Sequence, residues 1–589
     1  MGDLEQLAGF KLPRNNDELN ELLYFVKCEL SGPSRTEQID EKTELQLENV
    51  DTNRPDTWSV EGIARALRGI RGIETGIKKY SLSKNPAVDI FVDHGLLPIR
   101  PYISCVIAKK TKLTDDIIRG IIHLQEKLDQ SYGRRRKRSS IGFYDFDLIR
   151  SPLTYGLAEP DAIKFVPLDG DRPLSLREIL DSHPKGLEYG YILNSNKRMP
   201  ILLDADRKVL SFPPIINSND LGKITPETRN ILVEVTGTTQ ETVQNTLTIL
   251  TTVLADRDAK LYPARIHYKY RKSSVIQTPD LRERTTQIAL EDVNRLMGVT
   301  LKPKEIVKLL RRARYDANEP SANKMKVKIP CYRLDILHPV DIIEDIAIAY
   351  GLNNLKPRWP TDITAGGLSS IQEYADKIRS LMIGLGFQEI MTFQMTNPDK
   401  QFTKMNQHTS TPDSVEVMNP KITTMTCLRS WLLPSLLEFL GNNTHVEYPQ
   451  KIFEVGTCTV PQPMMPNRTE DNLKLACVST HAHANFTEMK SNLQPLMTNL
   501  DLKFSLQPAI NHSFLEGRVG SILIGGKDVG IIGEIHPQIL QNWKLEDPVA
   551  AFEVDLEQLF NTMSTPTQLE RRQSRPPPRE PTEQGVALP

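Results

Sequence analysis

The sequence predicts an α+β protein with several domains. Its length of 589 residues is enough for roughly four domains of about 150 residues each. Amphipathic helical segments occur in the same regions as short strands that proline and glycine separate. This mixture is typical of α+β architecture, so we expect an α+β multidomain fold.

The proposed domain boundaries follow the changes in this pattern. A small N-terminal α/β unit covers residues 1–86, an α+β domain covers 87–278 and a third domain covers 279–358. A fourth domain covers 359–560. Residues 561–589 are rich in proline and arginine and have almost nothing to bury, so we expect a disordered tail.

Helical periodicity in the first unit covers Asp17–Leu30 and Val60–Arg71. The second domain continues with a predicted helix at Asp115–Asp129. Its apolar residues define the side that we expect to be buried: Ile117, Ile118, Ile121, Ile122 and Leu128.

In the remainder of the second domain, the sequence predicts a strand at Ile201–Leu203, a turn at Asp204–Arg207 and a strand at Lys208–Phe212. Ile231–Thr236 is a further apolar strand, and Gln240–Ala255 has the pattern of an amphipathic helix.

The third domain contains two helical stretches, Thr286–Met297 and Pro303–Arg314, followed by an alternating strand at Lys324–Ile329. Two short helices with strands resemble a winged-helix or helix-turn-helix arrangement. In the fourth domain, a helix at Ser369–Gly384 precedes predicted strands that include Ile452–Val455, Val519–Ile524 and Val529–Gly533.

Acidic residues are concentrated in the segment YRLDILHPVDIIEDIAIAY, residues 332–350. On a helix, Asp341, Glu344 and Asp345 share one face, and Asp335 lies six residues earlier. Four oxygen ligands without histidine or cysteine suit a hard cation such as Mg²⁺. Acids in a first helical turn also complement the helix dipole, and the spacing alone leaves both interpretations open.

Composition limits the class of protein. The 73 basic and 74 acidic residues are nearly balanced, which argues against a highly basic nucleic-acid coat protein. Six cysteines without a CxxC pair indicate a reducing compartment, and no apolar run approaches the length of a membrane span. We therefore expect a soluble, intracellular protein.

Any contact with RNA must come from local basic patches, and three sequences offer one. In RIHYKYRK, residues 265–272, alternation would place Arg265, His267, Lys269 and Arg271 on one side of a strand. Arg134–Arg138 and Arg311–Arg314 are further basic runs. Solvated surfaces explain all three equally well.

The motifs in chain order resemble the beta subunits of phenylalanyl-tRNA synthetase, in the archaeal and eukaryotic form of that class II aminoacyl-tRNA synthetase. The resemblance runs from about residue 3 to about residue 560. Eight segments carry it: NRPDTWSVEGIARALRG (53–69), LQEKLDQSYGRRRKRSSIGFYDFD (124–147), VLSFPPIINS (209–218), TRNILVEVTGT (228–238), the acidic segment, LRSWLLPSLLEFLGNN (428–443), IFEVG (452–456) and GIIGEIHPQIL (530–540).

This resemblance implies a cytoplasmic subunit that pairs with an alpha subunit in a tetramer of two alpha and two beta chains. The complex would attach phenylalanine to tRNA(Phe) with ATP, at a synthetic site in the alpha subunit. Residues 359–560 would be a class II synthetase-like, antiparallel-sheet pseudo-catalytic domain, because the GxGxGxxR-type ending is missing. Arg429 and Arg518 do not replace its arginine. The family also implies Mg²⁺ on Asp335, Asp341, Glu344 and Asp345.

For residues 87–278, the resemblance implies an editing domain that hydrolyses mischarged tyrosyl-tRNA(Phe). Its site residues would be Leu202, Ser211, Glu234 and Thr236. Leu202 would shape the aromatic pocket, Ser211 and Thr236 would hydrogen-bond the ester, water or substrate, and Glu234 would accept from the tyrosine hydroxyl or position water. The alternative is that Ser211 and Thr236 are ordinary strand residues and Glu234 faces solvent.

Three positions depart from the family pattern. Asp129 and Tyr144 stand where the family has histidine, and Glu234 stands where aspartate is usual. Two other functions therefore stay open. One is a non-catalytic structural or RNA-binding subunit with a lapsed editing site, and the other is a free-standing editing factor.

Overall fold

The protein is described by a computed structural model that covers residues 1–32, 39–48, 50–193, 197–268, 274–318, 323–357, 359, 365–407 and 414–563. The chain divides into two compact units, Met1–Trp359 and Pro360–Pro589. The predicted domains 1–86, 87–278 and 279–358 all lie in the first unit, and their mutual boundaries stay predictions. Most of the predicted tail lies outside the described residues.

The N-terminal elements are helices α1 (Gly2–Ala8), α2 (Asn16–Tyr24) and α3 (Val60–Ile70) and the paired strands β1 (Glu29–Leu30) and β2 (Leu47–Glu48). The predicted helix Asp17–Leu30 is therefore too long. It ends at Tyr24 because Lys27 has a left-handed φ of 58° and the next residues pair as a strand.

Helix α3 carries a buried cation. The guanidinium of Arg65 lies 2.7 Å from the Asp256 carboxylate and 3.9 Å from the centre of the Tyr332 ring. Lys78 and the Tyr80 hydroxyl contact the other oxygen of Asp256, at 2.8 and 3.0 Å. These partners compensate the burial of the charges and tie α3 to the helix that contains Asp256.

A ten-stranded sheet organises the next part of the first unit. The elements in this region are β3 (Val88–Val92), β4 (Tyr102–Lys109), α4 (Asp115–Gln130), β5 (Ser139–Asp145), β6 (Leu153–Ala158), β7 (Lys164–Phe165), β8 (Leu174–Ser175), α5 (Leu176–Ser182), α6 (Pro184–Tyr189), β9 (Met199–Leu203), β10 (Val209–Phe212), β11 (Ile216–Asn217), β12 (Asn230–Gly237), α7 (Gln240–Asp256), β13 (Lys260–Tyr268) and β14 (Val275–Thr278). The strand order is β11-β10-β9-β6-β3-β13-β4-β12-β5, with β14 on β13. β7 and β8 form a separate pair.

Strand β12 separates two hydrophobic cores. Its odd-numbered residues, such as Val233, pack with residues of α4 and α7. On its other face, Leu232 shares a buried cluster with Leu202 and Leu210 from β9 and β10, so the sheet curls over on itself. Helix α4 has the predicted bounds within one residue, but Ile122 is exposed, contrary to the prediction.

The end of the first unit contains β15 (Arg284–Ala289), α8 (Leu290–Met297), α9 (Pro303–Arg312), β16 (Asp316–Ala317), β17 (Lys324–Ile329) and α10 (Pro339–Tyr350). The strands form an antiparallel sheet in the order β15-β17-β16. The predicted helix Thr286–Met297 is wrong in its first part, which pairs with β17 as a strand. Strand β17 alternates between buried and exposed residues, as predicted.

The second unit is built on a seven-stranded sheet. Its elements are α11 (Ser370–Gly384), β18 (Gln388–Glu389), β19 (Met395–Thr396), α12 (Pro398–Gln401), β20 (Cys427–Leu428), α13 (Leu433–Asn442), β21 (Gln450–Pro461), β22 (Thr469–Thr480), α14 (Phe486–Asn499), β23 (Phe504–Pro508), β24 (Phe514–Ile524), β25 (Lys527–Ile535), α15 (Pro537–Trp543), β26 (Val549–Asp555) and α16 (Leu556–Met563). The order β18-β21-β22-β26-β25-β24-β23 is antiparallel except for the β18–β21 pair. Helices α11, α14 and α16 contribute to the core on one face, and α13 and α15 to the other.

The predicted strands of this unit are confirmed, and each extends further than expected. Gly525 and Gly526, with φ of 60° and 82°, form the turn of the β24–β25 hairpin. Among the described residues, no helix combines the length and the apolar character that crossing a bilayer requires.

We expect Arg65→Met to lower the free energy of unfolding by about 3 kcal/mol, because it leaves the Asp256 carboxylate buried with an incomplete set of partners. Urea denaturation of the full chain measures this change. Arg119→Met is the matched control, since Arg119 pairs with Asp116 on the exposed surface and should contribute less than about 1 kcal/mol. Equal effects of the two substitutions would contradict the structural role of Arg65.

Candidate functional site

The four predicted editing residues lie on three strands of the curled sheet. Leu202 and Ser211 are direct partners in the β9–β10 ladder, and Glu234 and Thr236 lie on the same face of β12. All four are at most 2 % exposed. The alternative in which Glu234 faces solvent is therefore wrong, and the group is closed to solvent in this structure.

Glu234 is paired with a tyrosine from the neighbouring strand. The Tyr144 hydroxyl donates to Oε2 of Glu234 at 2.8 Å, and it lies 3.4 Å from the Asn217 side-chain oxygen. The pair depends on Gly142, which is opposite Glu234 in the β5–β12 register. A Cβ on Gly142 would lie 2.1 Å from the Tyr144 hydroxyl and 2.8 Å from Oε2 of Glu234.

Two buried polar atoms beside this pair have no hydrogen-bond partner. They are Oε1 of Glu234 and Oγ of Ser211. Ser211 lies close to the Tyr144 hydroxyl, and Thr236 close to Glu234, but neither contact has the geometry of a good hydrogen bond. Buried polar atoms in native proteins nearly always have partners, so this pair of atoms marks a place for a ligand or water.

Burial raises the pKa of Glu234 to about 7, and the Tyr144 hydroxyl and the Arg100 guanidinium oppose that rise. Burial also raises the pKa of Asp129 to about 7, against the effect of Arg136 and Arg100. Two carboxyl groups that titrate near neutrality within one buried cluster are typical of a functional site.

Arg100 was not predicted from the sequence, yet it holds the end of β12. Its Nε donates to the Thr236 hydroxyl at 3.0 Å, and one Nη donates to the Thr236 carbonyl at 2.8 Å and to the Ser140 hydroxyl at 3.1 Å. The other Nη donates to the carbonyls of Arg136 and Lys137. Arg100 lies outside the strands, and a single sequence gives no signal that it enters the site.

The basic run Arg134–Arg138 also contributes an internal contact. Arg136 lies 3.0 Å from the Asp129 carboxylate and donates to the carbonyls of Pro214 and Ile215 at 3.3 and 2.8 Å. It thereby anchors the segment between β10 and β11 beside the cluster. Two of the three departures from the family pattern, Asp129 and Tyr144, thus lie near the third, Glu234.

The four predicted magnesium ligands do not converge. Arg333 donates to both oxygens of Asp335, at 2.9 and 2.7 Å, and to Oδ2 of Asp345 at 2.5 Å. The Tyr315 hydroxyl donates to the same Asp345 oxygen at 2.5 Å. Although burial opposes it, the cations Arg333 and Arg54 lower the pKa of Asp345 below its usual value.

Asp341 and Glu344 have other partners. Oδ2 of Asp341 accepts from the backbone N–H groups of Leu337 and His338, which caps the start of α10. Glu344 lies 2.9 Å from the ammonium of Lys27. Among the residues that the structure describes, no group of three or more His, Cys, Asp or Glu side chains could hold a metal ion. The predicted set therefore does not fit a single magnesium site in this arrangement.

The two remaining basic runs form internal contacts. Arg265 and His267 both contact the Asp89 carboxylate, at 2.8 and 2.7 Å, whereas Lys269 and Arg271 lie outside the described residues. From the run 311–314, Arg312 donates to the carbonyls of Ile70 and Ala349.

The arginines considered for nucleotide binding in the second unit are also engaged within the chain. Arg429 lies 2.7 Å from the buried Glu454 carboxylate and donates to the Thr392 hydroxyl and the Thr457 carbonyl. Arg518 lies 2.7 Å from Glu534.

Comparison with known proteins adds independent information. Residues 355–556 match the family model of the phenylalanyl tRNA synthetase beta chain CLM domain, and residues 286–352 match that of the tRNA synthetase B5 domain. The phenylalanine–tRNA ligase beta subunit of Pyrococcus furiosus is 41% identical over 558 residues, which cover 95% of this chain and 98% of that protein. The beta subunit of Archaeoglobus fulgidus is 40% identical over 511 residues, covering 87% and 91%.

A solved structure gives the same relationship. An N-terminal fragment of the phenylalanyl-tRNA synthetase beta subunit from Pyrococcus horikoshii superimposes with a TM-score of 0.56 at 39% identity, and the match covers 59% of this chain and 97% of the fragment. The resemblance predicted from the motifs is confirmed. The chain belongs to the family of phenylalanine–tRNA ligase beta subunits.

Proposed function

We propose that this chain works with an alpha subunit, as a cytoplasmic tetramer of two alpha and two beta chains, to attach phenylalanine to tRNA(Phe). ATP and Mg²⁺ act at a synthetic site in the alpha subunit. The support is membership of the beta-subunit family along nearly the full length of its relatives.

The second unit would serve assembly as a class II synthetase-like pseudo-catalytic domain. Its antiparallel sheet, covered by helices on both faces, agrees with that assignment. Arg429 is committed to Glu454, Thr392 and the Thr457 carbonyl, so its donors are not free for a nucleotide phosphate.

The second proposed activity is hydrolysis of mischarged tyrosyl-tRNA(Phe) at the Glu234 cluster. An apolar pocket rejects an added hydroxyl by only about a hundredfold, so a ligase for phenylalanine gains accuracy from a second site that binds the hydroxyl. The observation that carries this proposal is the unpartnered oxygen of the buried Glu234 carboxyl beside the unpartnered Ser211 hydroxyl. A substrate would need the closed cluster to open.

Two other functions can be tested against this proposal. In a structural or RNA-binding subunit with a lapsed editing site, the cluster would only stabilise the fold. A free-standing editing factor would hydrolyse its substrate without an alpha subunit. Co-expression followed by size-exclusion chromatography separates that rival from a tetramer subunit.

We expect the purified chain alone to form no phenylalanyl-tRNA, because the proposed adenylate-forming site lies in its partner. The complex with the alpha subunit should charge tRNA(Phe) in an aminoacylation assay with ATP. The alpha subunit alone is the control for assembly. Charging by the isolated chain would contradict the proposal.

Deacylation of tyrosyl-tRNA(Phe) by the complex should be lost in Glu234→Ala. Because the carboxylate is the form that accepts from a phenol, the wild-type rate should rise with pH through about 7. Tyr144, Arg100, Asp129 and Thr236 face the carboxyl and contribute to that midpoint. Glu241→Gln, on the exposed first turn of α7, is the matched control. Spontaneous decay in all samples would support the lapsed site.

The winged-helix-like character of 279–358 remains a prediction. Magnesium binding by Asp335, Asp341, Glu344 and Asp345 also remains to be tested, and the contacts of these residues do not favour it. Since Arg333 lies between two of these carboxylates, we expect EDTA to leave the thermal unfolding midpoint of the isolated chain unchanged. A bound ion would stabilise the protein by an amount that rises with the logarithm of its concentration relative to its dissociation constant. A midpoint that falls with EDTA, and no longer responds in Asp341→Ala, would restore the metal assignment.

A further inference from the structure

The hydroxyl of Tyr144 lies beside Glu234 and Ser211, the two predicted editing residues that carry an unpartnered buried atom. It donates to Oε2 of Glu234 at 2.8 Å and lies beside the Ser211 hydroxyl. Oε1 of Glu234 and Oγ of Ser211 are buried and make no hydrogen bond. The cluster thus contains one satisfied carboxyl oxygen and two free positions that could bind one further hydroxyl.

The surroundings fix this arrangement. Tyr144 is fully buried, and the absence of a side chain at Gly142 leaves room for its hydroxyl and Oε2 of Glu234 to meet, since a Cβ there would lie 2.1 Å from the hydroxyl. The Thr236 hydroxyl lies beside Glu234, but it accepts from Arg100 at 3.0 Å, contacts the Ser140 hydroxyl at 3.1 Å and makes no hydrogen bond to Oε1. The free atoms therefore remain available to a ligand.

Tyr144 is protonated at neutral pH and can therefore donate a hydrogen bond. Burial and the neighbouring Glu234 carboxyl keep the pKa of Tyr144 well above its ordinary value, so the phenol keeps its proton across the neutral range. Its hydroxyl has one proton, which is directed to Oε2 of Glu234 at 2.8 Å and to the more distant Asn217 side-chain oxygen at 3.4 Å. Oε1 of Glu234 receives no hydrogen bond, so the hydroxyl of a ligand can be its donor.

We propose that Tyr144 is a positioning residue that makes this site selective for a phenolic aminoacyl group. By holding Oε2 of Glu234, it presents Oε1, together with the Ser211 hydroxyl, to the hydroxyl of a tyrosyl ester. A phenylalanyl ester would leave both atoms unpaired, and a site built to hydrogen-bond a hydroxyl strongly rejects an analogue that lacks it. This inference rests on the proposed editing function and names the residue that sets its substrate preference.

Binding of hydrolysis-resistant analogues to the full chain tests the role of Tyr144. The probes are 3′-tyrosylamido- and 3′-phenylalanylamido-3′-deoxyadenosine, measured by isothermal titration calorimetry. We expect the wild-type chain to prefer the tyrosyl probe and Tyr144→Phe to lower that preference by roughly tenfold, mainly through weaker tyrosyl binding. Tyr268→Phe is the matched control, because its buried hydroxyl accepts from the Ile103 N–H at 3.1 Å and donates to the Ile103 carbonyl at 3.0 Å.

A double-mutant cycle separates positioning from general stability. In a Glu234→Gln background, Tyr144→Phe should have little further effect on the preference, because the group that it positions has changed. Ser211→Ala is a second test. It removes one unpartnered hydroxyl but keeps the Tyr144–Glu234 hydrogen bond, so it should weaken binding of the tyrosyl probe and leave binding of the phenylalanyl probe unchanged. Thermal unfolding midpoints confirm that each variant is folded.

The inference is overturned if Tyr144→Phe keeps the wild-type preference, binds the tyrosyl probe more tightly, or matches Tyr268→Phe. Additive effects of Tyr144→Phe and Glu234→Gln would overturn it as well, and so would a wild-type chain without preference. If selective binding depends on Tyr144 while tyrosyl-tRNA is not hydrolysed, the proposed editing activity fails and this inference stands.

Discussion

The first unit depends on how its buried charges and polar groups are compensated. Strand β12 is paired on both sides, with β4 and β5, and each of its faces packs in a buried hydrophobic cluster, so its polar side chains are closed off from solvent. Glu234 therefore needs partners from within the protein, and Tyr144 supplies a donor for one oxygen only. Burial raises the pKa of this carboxyl to about 7, and its unpartnered oxygen is an open position for a hydrogen-bond donor.

Several other buried ions have many partners within the protein. Arg333 bonds two carboxylates, Arg100 bonds hydroxyls and carbonyls with all three of its nitrogens, and Arg429 bonds Glu454, Thr392 and the Thr457 carbonyl. Fully compensated groups of this kind hold segments together and leave nothing for a ligand. The contrast with the Glu234 cluster is a physical criterion for separating a structural network from a binding site, independent of sequence similarity.

The sequence predicted much of the secondary structure because periodicity is a local property. Helices α3 and α7 and strands β12 and β17 lie within one or two residues of their predicted bounds. The errors occurred where tertiary pairing decides the outcome, as in 286–289, which was predicted to be helical but pairs with β17.

The sequence supplied candidate site residues but not their geometry. Family resemblance proposed Leu202, Ser211, Glu234 and Thr236 as editing residues, whereas the Arg100 contacts arise from the way the sheet curls. The acidic segment, residues 332–350, is the opposite case, because its pattern suggested a site that the contacts do not form. Its carboxylates do share a sequence pattern suited to a metal, but Arg333 reaches two of them from the preceding turn, and periodicity carries no information about such a contact.

The link between α3 and α7 bears on how this subunit can be divided. Asp256 belongs to the region that contains the Glu234 cluster, yet both of its cationic partners, Arg65 and Lys78, come from the first 86 residues. Arg257 likewise reaches back to Glu61 and Asp3. A shortened chain that started at residue 87 would contain Asp256 and Arg257 without the oppositely charged residues that pair with them. The region of the Glu234 cluster is thus not a portable module, and transferring it to another protein would require the N-terminal helices as well.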